Sequence, residues 1–521
     1  MKLVFSFPRS LRLDIYIALA LALMILQLAT GTTLEFAELT FLATIFSVIS
    51  INLAGGLRTV AGCCIAVVAW KVFLVSQVAK VCFGEPGQSN LEQPVLTMGV
   101  ITVSMAAICL ASLACVAFRP KRVVLRPVME RDTLRKIAVI ALMIGMGSFF
   151  AAQLLGVTEE GAVRLGGLAG LLRRISACAP LAIVAGTAYT ILASQGRRLL
   201  SPYNVIPFAI QFGIGVLFTS KQGLFDPFFY MAVTGVAFGF AWRRWHLLTG
   251  ISIAFIAFFV LFPFGQVTRN YTRGANIRET FKKTADFFEQ NLHNRNFFVN
   301  QYLEYREGVA DDDGGRYFDK PSGILERLAL IKPADSLIAA TLKQGTGGWE
   351  TVNPGLANLL PRLILPRRYV DAPNILGFRA GIIGEDNNGT DIAFGFAAHA
   401  FYAFGWIGVG LASFFIGVLL IVITRVLTSG LPDSIWAVVF LGSYQHMIAE
   451  AEIGGVLQLL LYQTGWILAA LFGVRQLAEV WRLGEQALRR QKRDAVMRSV
   501  SKSIGSDTPL GTEPISRSVS L

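Results

Sequence analysis

Charge is scarce in this chain. Only 16% of its 521 residues are Asp, Glu, Lys or Arg, against 54% hydrophobic. Soluble chains interrupt their apolar runs far sooner, so an ordinary soluble protein is excluded. Cysteine is also sparse. Cys63, Cys64, Cys82, Cys109, Cys115 and Cys178 all fall in apolar segments, with no Cys-x-x-Cys and none in the long polar stretch. That pattern argues against a disulfide framework or zinc site and leaves small apolar packing residues as the default. There is no internal repeat, no phosphate-binding Gly-rich loop and no Walker-type motif. No cofactor and no metal are expected.

Several segments hold about 20 nearly uncharged residues, enough to cross about 30 Å of hydrocarbon. The predicted spans are 13–30, 34–54, 60–83, 95–117, 137–155, 177–194, 204–219, 224–241, 247–264, 404–425, 435–449 and 455–474. The fold class is therefore an all-α polytopic integral membrane protein of about 12 transmembrane helices with one large periplasmic loop containing helices. Lys2 and Arg9 precede the first apolar run like the start of a signal peptide. No small-residue cleavage site stands out, so an uncleaved first helix is expected. This divides the chain into a membrane region 1–264, a loop 265–392, a second membrane region 393–476 and a largely disordered cytoplasmic tail 477–521.

The net charge of +13 invites a nucleic-acid partner, but its distribution argues against one. Between Gly265 and Ile392 the 16 Lys/Arg are balanced by 16 Asp/Glu. The excess sits in short loops on one side: Arg58; Arg119 to Lys136; Arg197 and Arg198; Arg243 and Arg244; and the tail from Arg489 to Arg493. Short outward loops such as Gly84 to Pro94 have almost none. The positive-inside rule then places both termini in the cytoplasm. The outward loop Gly156 to Ser176 departs from the pattern. Arg164, Arg173 and Arg174 flank the apolar run Leu165 to Leu172, which reads either as an interfacial amphipathic helix or as ordinary connection.

The loop 265–392 is too long for a structureless connector, and Ile277 to Arg306 and Pro321 to Leu342 carry helical spacing. Asp311, Asp312 and Asp313 lack the ligand spacing of a calcium loop and read first as a solvated turn. Outward positive charge, which topology does not select, is the notable feature: Lys221 in the turn Ser220-Lys221-Gln222-Gly223, Arg269 and Arg273 after the ninth span, Arg327, and Arg362, Arg367 and Arg368 around Pro361 and Pro366. Guanidinium groups bind phosphate oxygens through paired hydrogen bonds and lysine does so as a point charge, so the set suits a pyrophosphate. Singly, each reads as readily as a headgroup-facing charge. His399, at the approach to the tenth span, is a candidate general base, or a helix-start histidine bonded to backbone. Glu385, Asp386 and Asp391 offer carboxylates near it, within a turn-rich segment. Glu450 and Glu452, beside His446, either face the same cavity or are simply interfacial.

The run from Leu356 reads Leu-Ala-Asn-Leu-Leu-Pro-Arg-Leu-Ile-Leu-Pro-Arg-Arg, and after an Asp/Asn/Gly stretch comes His399-Ala-Phe-Tyr-Ala-Phe-Gly-Trp-Ile-Gly-Val-Gly410. This order resembles the membrane polymerases that join lipid-linked oligosaccharide repeat units, the O-antigen polymerase family, which is related to the O-antigen ligases. The resemblance covers the loop end and the following helix; elsewhere it is one of layout. It implies a glycosyltransferase of the bacterial inner membrane that moves a growing chain from undecaprenyl pyrophosphate onto the next lipid-linked unit. Lys221, Arg269, Arg273, Arg327 and Arg367 would bind the pyrophosphate, and His399, Asp391 or Glu385 would deprotonate the acceptor hydroxyl. Partners would be the lipid-linked donor and acceptor, membrane lipids, a flippase and a chain-length regulator. The family's turn often carries Arg where Lys221 stands, and its ligases often place Asn where Ala400 follows His399. A ligase with another acceptor and a flippase or transporter are the rival readings.

Overall fold

The structure, a computed structural model, describes residues 2–155, 157–159, 162–164, 167–217, 221–256, 279, 282, 283, 286, 289, 316–319, 329–357, 359, 376–378, 380–382 and 392–505. It is mostly helical. Among the described residues, seven helices are long and apolar enough to cross a membrane: α2 (Leu34–Ala54), α3 (Val60–Phe83), α4 (Pro94–Ala114), α5 (Arg131–Leu155), α6 (Leu168–Ala193), α12 (Gly395–Leu427) and α15 (Ile453–Arg498). Shorter apolar helices are α1 (Leu13–Ala29), α7 (Pro202–Leu217) and α8 (Lys221–Ala237). Helix α9 (Arg244–Ile256) overlaps the first part of the predicted span 247–264, whose remainder lies outside the described residues, and helix α13 (Ile435–Gln445), followed by the single turn α14 (Met447–Glu450), covers the predicted span 435–449. Two helices come from the large loop, α10 (Ile331–Gln344) and α11 (Trp349–Ala357).

The helices form because their side chains are apolar on nearly every face, and side-chain caps define some of their ends. The Thr59 hydroxyl accepts the Gly62 N–H at 3.0 Å to start α3, and the Ser434 hydroxyl accepts the Ala437 N–H to start α13. Helix α4 packs on α2 and α12, and α6 on α5, α7 and α8. Helix α13 lies at the centre against α3, α6 and α8, with every side chain from Ile435 to Leu441 buried.

The predicted inward loops converge at one end of this bundle. Strand β1 (Lys2–Val4) pairs antiparallel with β4 (Ala241–Arg243), and a second small pair, β2 (Val157–Glu159) with β3 (Ala162–Arg164), lies elsewhere. Asn52 bonds the backbone of Leu11, the Leu431 N–H reaches the Arg58 carbonyl at 2.7 Å, and the Trp436 indole reaches the Arg126 carbonyl at 3.0 Å. Lys136 pairs with Asp132 and with Glu485 of α15.

Residues 168–175 are helical, as the amphipathic reading expects, and run through a 3-10 turn into the rest of α6 while packing on α5. Two expectations change. The tenth span starts earlier, at Gly395, and is interrupted at Phe404 and Gly405. The C-terminal helix runs to Gly505, past Ser499, because Ala, Leu, Arg and Gln dominate its sequence.

Arg425 knots the basic end together. Its guanidinium donates to the carbonyls of Cys115 and Phe118 beyond α4, and to Leu53 and Ala54 at the end of α2. These are carbonyls that a helix C-terminus leaves unpaired. Replacing it by Met should lower stability by about 1–3 kcal/mol, with Arg425→Lys recovering only part because it lacks the planar fork. Thermal unfolding in detergent checks the order of the three proteins.

Candidate functional site

The opposite end is where regular helix fails, and the failures cluster. Helix α3 contains a π-turn from Trp70 to Leu74, and α15 another from Gln458 to Gln463. Such turns free backbone groups from the helical ladder. Helix α12 breaks at Gly405, whose φ of +62° is open to glycine but strained for other residues. The chain between α14 and α15 is extended at Ala451 and Glu452.

Parts of the large loop fill these gaps. The N–H groups of Gly347 and Gly348 donate to the carbonyls of Tyr402 and Ala403, just before the break in α12. The Leu330 N–H reaches the Lys71 carbonyl in the π-turn. Helix α10 is buried over ten of its fourteen residues. Its Asp335 carboxylate accepts from the Glu92 N–H at 2.6 Å, the Gln93 N–H at 2.9 Å and the Thr97 hydroxyl at 2.8 Å, capping α4 from outside. Burial raises its carboxyl above the ordinary aspartate range, against those hydrogen bonds and the nearby Lys332 charge, which pull it down. Helix α11 packs on the start of α15 through Gly355 and Gly454, so close that a Cβ on either would lie 2.4 Å from the other's Cα.

Trp349 stacks edge-on with Phe404 and Trp406 with Phe401, and both indoles are exposed. Exposed tryptophan at a span end marks a membrane–water boundary. The stretch of α12 beyond the break then rises about 33 Å, one bilayer core. An apolar cavity of about 20 Å³, room for about one water, sits among Val72, Ser104, Leu330, Ala334, Phe394 and Ala449.

Charge enters this apolar setting at two places. Lys71, in the π-turn, lies 2.7 Å from the Glu450 carboxylate and 3.5 Å from His446 Nδ1, and His446 Nδ1 is 3.0 Å from the same Glu450 oxygen. By helical rise Lys71 stands about 16 Å from the basic end of α3, and Glu450 about 22 Å from the start of α13. Lys80, fully buried, pairs with Glu85 at 2.8 Å and Ser89 at 2.7 Å, its ammonium over the Tyr317 and Phe318 rings. Tyr317 accepts from Gln77, which is bonded to Gln27, and donates to the Gly87 carbonyl. These contacts tie Arg316–Asp319 of the large loop to α1 and α3.

His399 is buried in α12. Its Nδ1 accepts the Ile453 N–H at 3.2 Å, satisfying the first donor of α15. Its Nε2 is buried toward the Thr351 carbonyl of α11 without a hydrogen bond of ordinary geometry. Lys221 is the first residue of α8 rather than part of a turn; its side chain lies outside the described residues, as do Arg269, Arg273, Arg327, Arg367, Glu385 and Asp391. Of the sequence candidates the structure brings together His446 and Glu450, and it sets His399 against Ile453. Lys71 and Lys80 are additions. Their signal was present: a lysine inside an apolar run is costly and has a reason.

Removing one partner of a buried pair is expensive. Lys80→Met should destabilise the protein by about 3–5 kcal/mol and expose the large loop to limited proteolysis, while Lys80→Met with Glu85→Gln should cost less than Lys80→Met alone.

The chain matches no family model, no curated protein and no solved structure.

Proposed function

We propose that the protein is a polysaccharide polymerase of the bacterial inner membrane. It joins oligosaccharide repeat units carried on undecaprenyl pyrophosphate, at the membrane face opposite its basic loops. The basic end is cytoplasmic and the large loop periplasmic, as the positive-inside rule requires. One observation carries this reading. A cation, a carboxylate and an imidazole meet near the middle of the bundle, under helices from the large loop and beside an apolar cavity. A lipid-linked sugar presents an isoprenoid tail, an anionic pyrophosphate and an acceptor hydroxyl at that depth. Charge on the departing pyrophosphate has to be stabilised as the glycosidic bond breaks, which is the part assigned to Lys221, Arg269, Arg273, Arg327 and Arg367. Asp391 and Glu385 remain carboxylates for orienting the sugar. A resident metal is not needed where guanidinium groups supply the charge.

The interrupted helices favour a second reading, transport, since broken spans with charges are a transporter's usual binding site. A deletion strain separates them. Lys71→Met leaves Glu450 without its cation, and on a surface-polysaccharide gel it should give single repeat units where wild type restores long chains; Arg327→Ala should behave alike. Long lipid-linked chains without attached glycan would indicate a ligase. Repeat units trapped on the inner leaflet would indicate a flippase.

A further inference from the structure

The two histidines of the site are in opposite states. An imidazole accepts a proton only through a nitrogen with a free lone pair. In His399 that lone pair, on Nδ1, is occupied by the Ile453 N–H, and the ring is buried. Using it as a base would strip the first turn of α15 of its partner.

His446 is arranged the other way. Its Nδ1 lies 3.0 Å from Glu450 Oε1, and Lys71 donates to that same oxygen at 2.7 Å. A carboxylate paired with an ammonium is an acceptor only, so Nδ1 carries the proton and Nε2 holds the lone pair. Among the described residues no hydrogen bond reaches Nε2, and the side chain is 38% exposed. A carboxylate fixing one imidazole nitrogen so that the other can take a proton is the arrangement used in hydrolase triads. Lys71, from the facing helix, and Glu450, on its own segment, are charged groups that face this ring.

We propose that His446 is the catalytic base and Glu450 its positioning residue, while His399 serves the backbone. The inference rests on the glycosyl-transfer reading. The acceptor sugar's hydroxyl proton moves to His446 Nε2 as its oxygen bonds to the donor's anomeric carbon. The bond from that carbon to the pyrophosphate oxygen breaks, and its electron pair leaves with the lipid pyrophosphate. The imidazolium, held against Glu450, then returns its proton to water.

The test uses the full chain in lipid nanodiscs with undecaprenyl-pyrophosphate-linked oligosaccharide, following chain growth against pH. General-base catalysis contributes about 10²–10⁴-fold. His446→Gln should therefore lose at least about 100-fold and abolish the fall in rate on the acid side. Glu450→Gln should slow the reaction, since the imidazolium loses its counter-charge, and Glu450→Asp should restore much of the rate. His399→Ala should lower the unfolding temperature and leave the acid-side fall in place. Unfolding temperatures of the His446 and Glu450 variants, measured alongside, separate misfolding from chemistry, with Glu450→Asp as the folded comparison. A His446→Gln protein with the wild-type rate or an unmoved acid-side fall overturns the proposal, as does a fall abolished by His399→Ala instead. A wild-type protein that binds the lipid-linked substrate and never extends it overturns the glycosyl-transfer reading, and the base assignment with it.

Discussion

Hydrocarbon offers no hydrogen bonds, so a backbone that leaves the helical ladder inside a membrane must find its partners within the protein. The end of the bundle opposite the basic loops is organised around that constraint. Helix α12 stops at Gly405 and the carbonyls before the break are met by Gly347 and Gly348. The π-turn in α3 frees the Lys71 carbonyl, which Leu330 meets. Helix α15 begins with a donor that His399 meets. Each partner comes from α10 to α12 or the chain just before them. The described parts of the large loop are thus the other half of the interrupted spans, not a domain resting on top of them.

The same breaks explain why charge is tolerated there. A π-turn swings one residue out of register with its helix, and here that residue is Lys71, brought to Glu450 across the interface between α3 and α14. A lysine at that depth facing lipid would cost several kcal/mol; paired, and with its own carbonyl satisfied by Leu330, it is held. At the basic end Arg425 performs the complementary task, closing the carbonyls at the ends of α2 and α4. Both ends are sealed by groups far apart in sequence.

The difference between local and long-range contacts decides what the sequence could reveal. Spans such as Leu34–Ala54 and Pro94–Ala114 depend only on local apolar length and were legible to within a few residues. The convergence of Arg58, Arg126 and the N-terminal strand at one end was legible from charge. The boundary at Phe404 and Gly405 was legible as a span start, but the helical turns from Gly395 that precede it were not. A backbone-bonded His399 was one open reading, but its partner Ile453 was not legible, because it lies far along the chain. Lys71 and Lys80 were visible as charges within a span, but nothing local names Glu450 or Tyr317 as what answers them. What is long-range in sequence is what the hydropathy pattern lacks.

Helix interruptions satisfied by distant segments also join those segments energetically. Separating α11 from the start of α15 would expose the glycine contact at Gly355 and Gly454 and loosen the turn that holds Thr351 near His399. Ile453, whose donor His399 fixes, directly follows Ala451 and Glu452, the extended pair that sets where Glu450 stands relative to Lys71. The order therefore runs from loop, to His399, to the start of α15, to the Lys71–Glu450–His446 cluster. Because the His399–Ile453 link holds a backbone group that hydrocarbon would leave unpaired, loosening it weakens what lies beyond. The loop and the charged cluster should open as one cooperative unit rather than as a lid over a rigid site. The buried histidine is then as necessary to the cluster as the exposed one, by holding geometry instead of moving a proton.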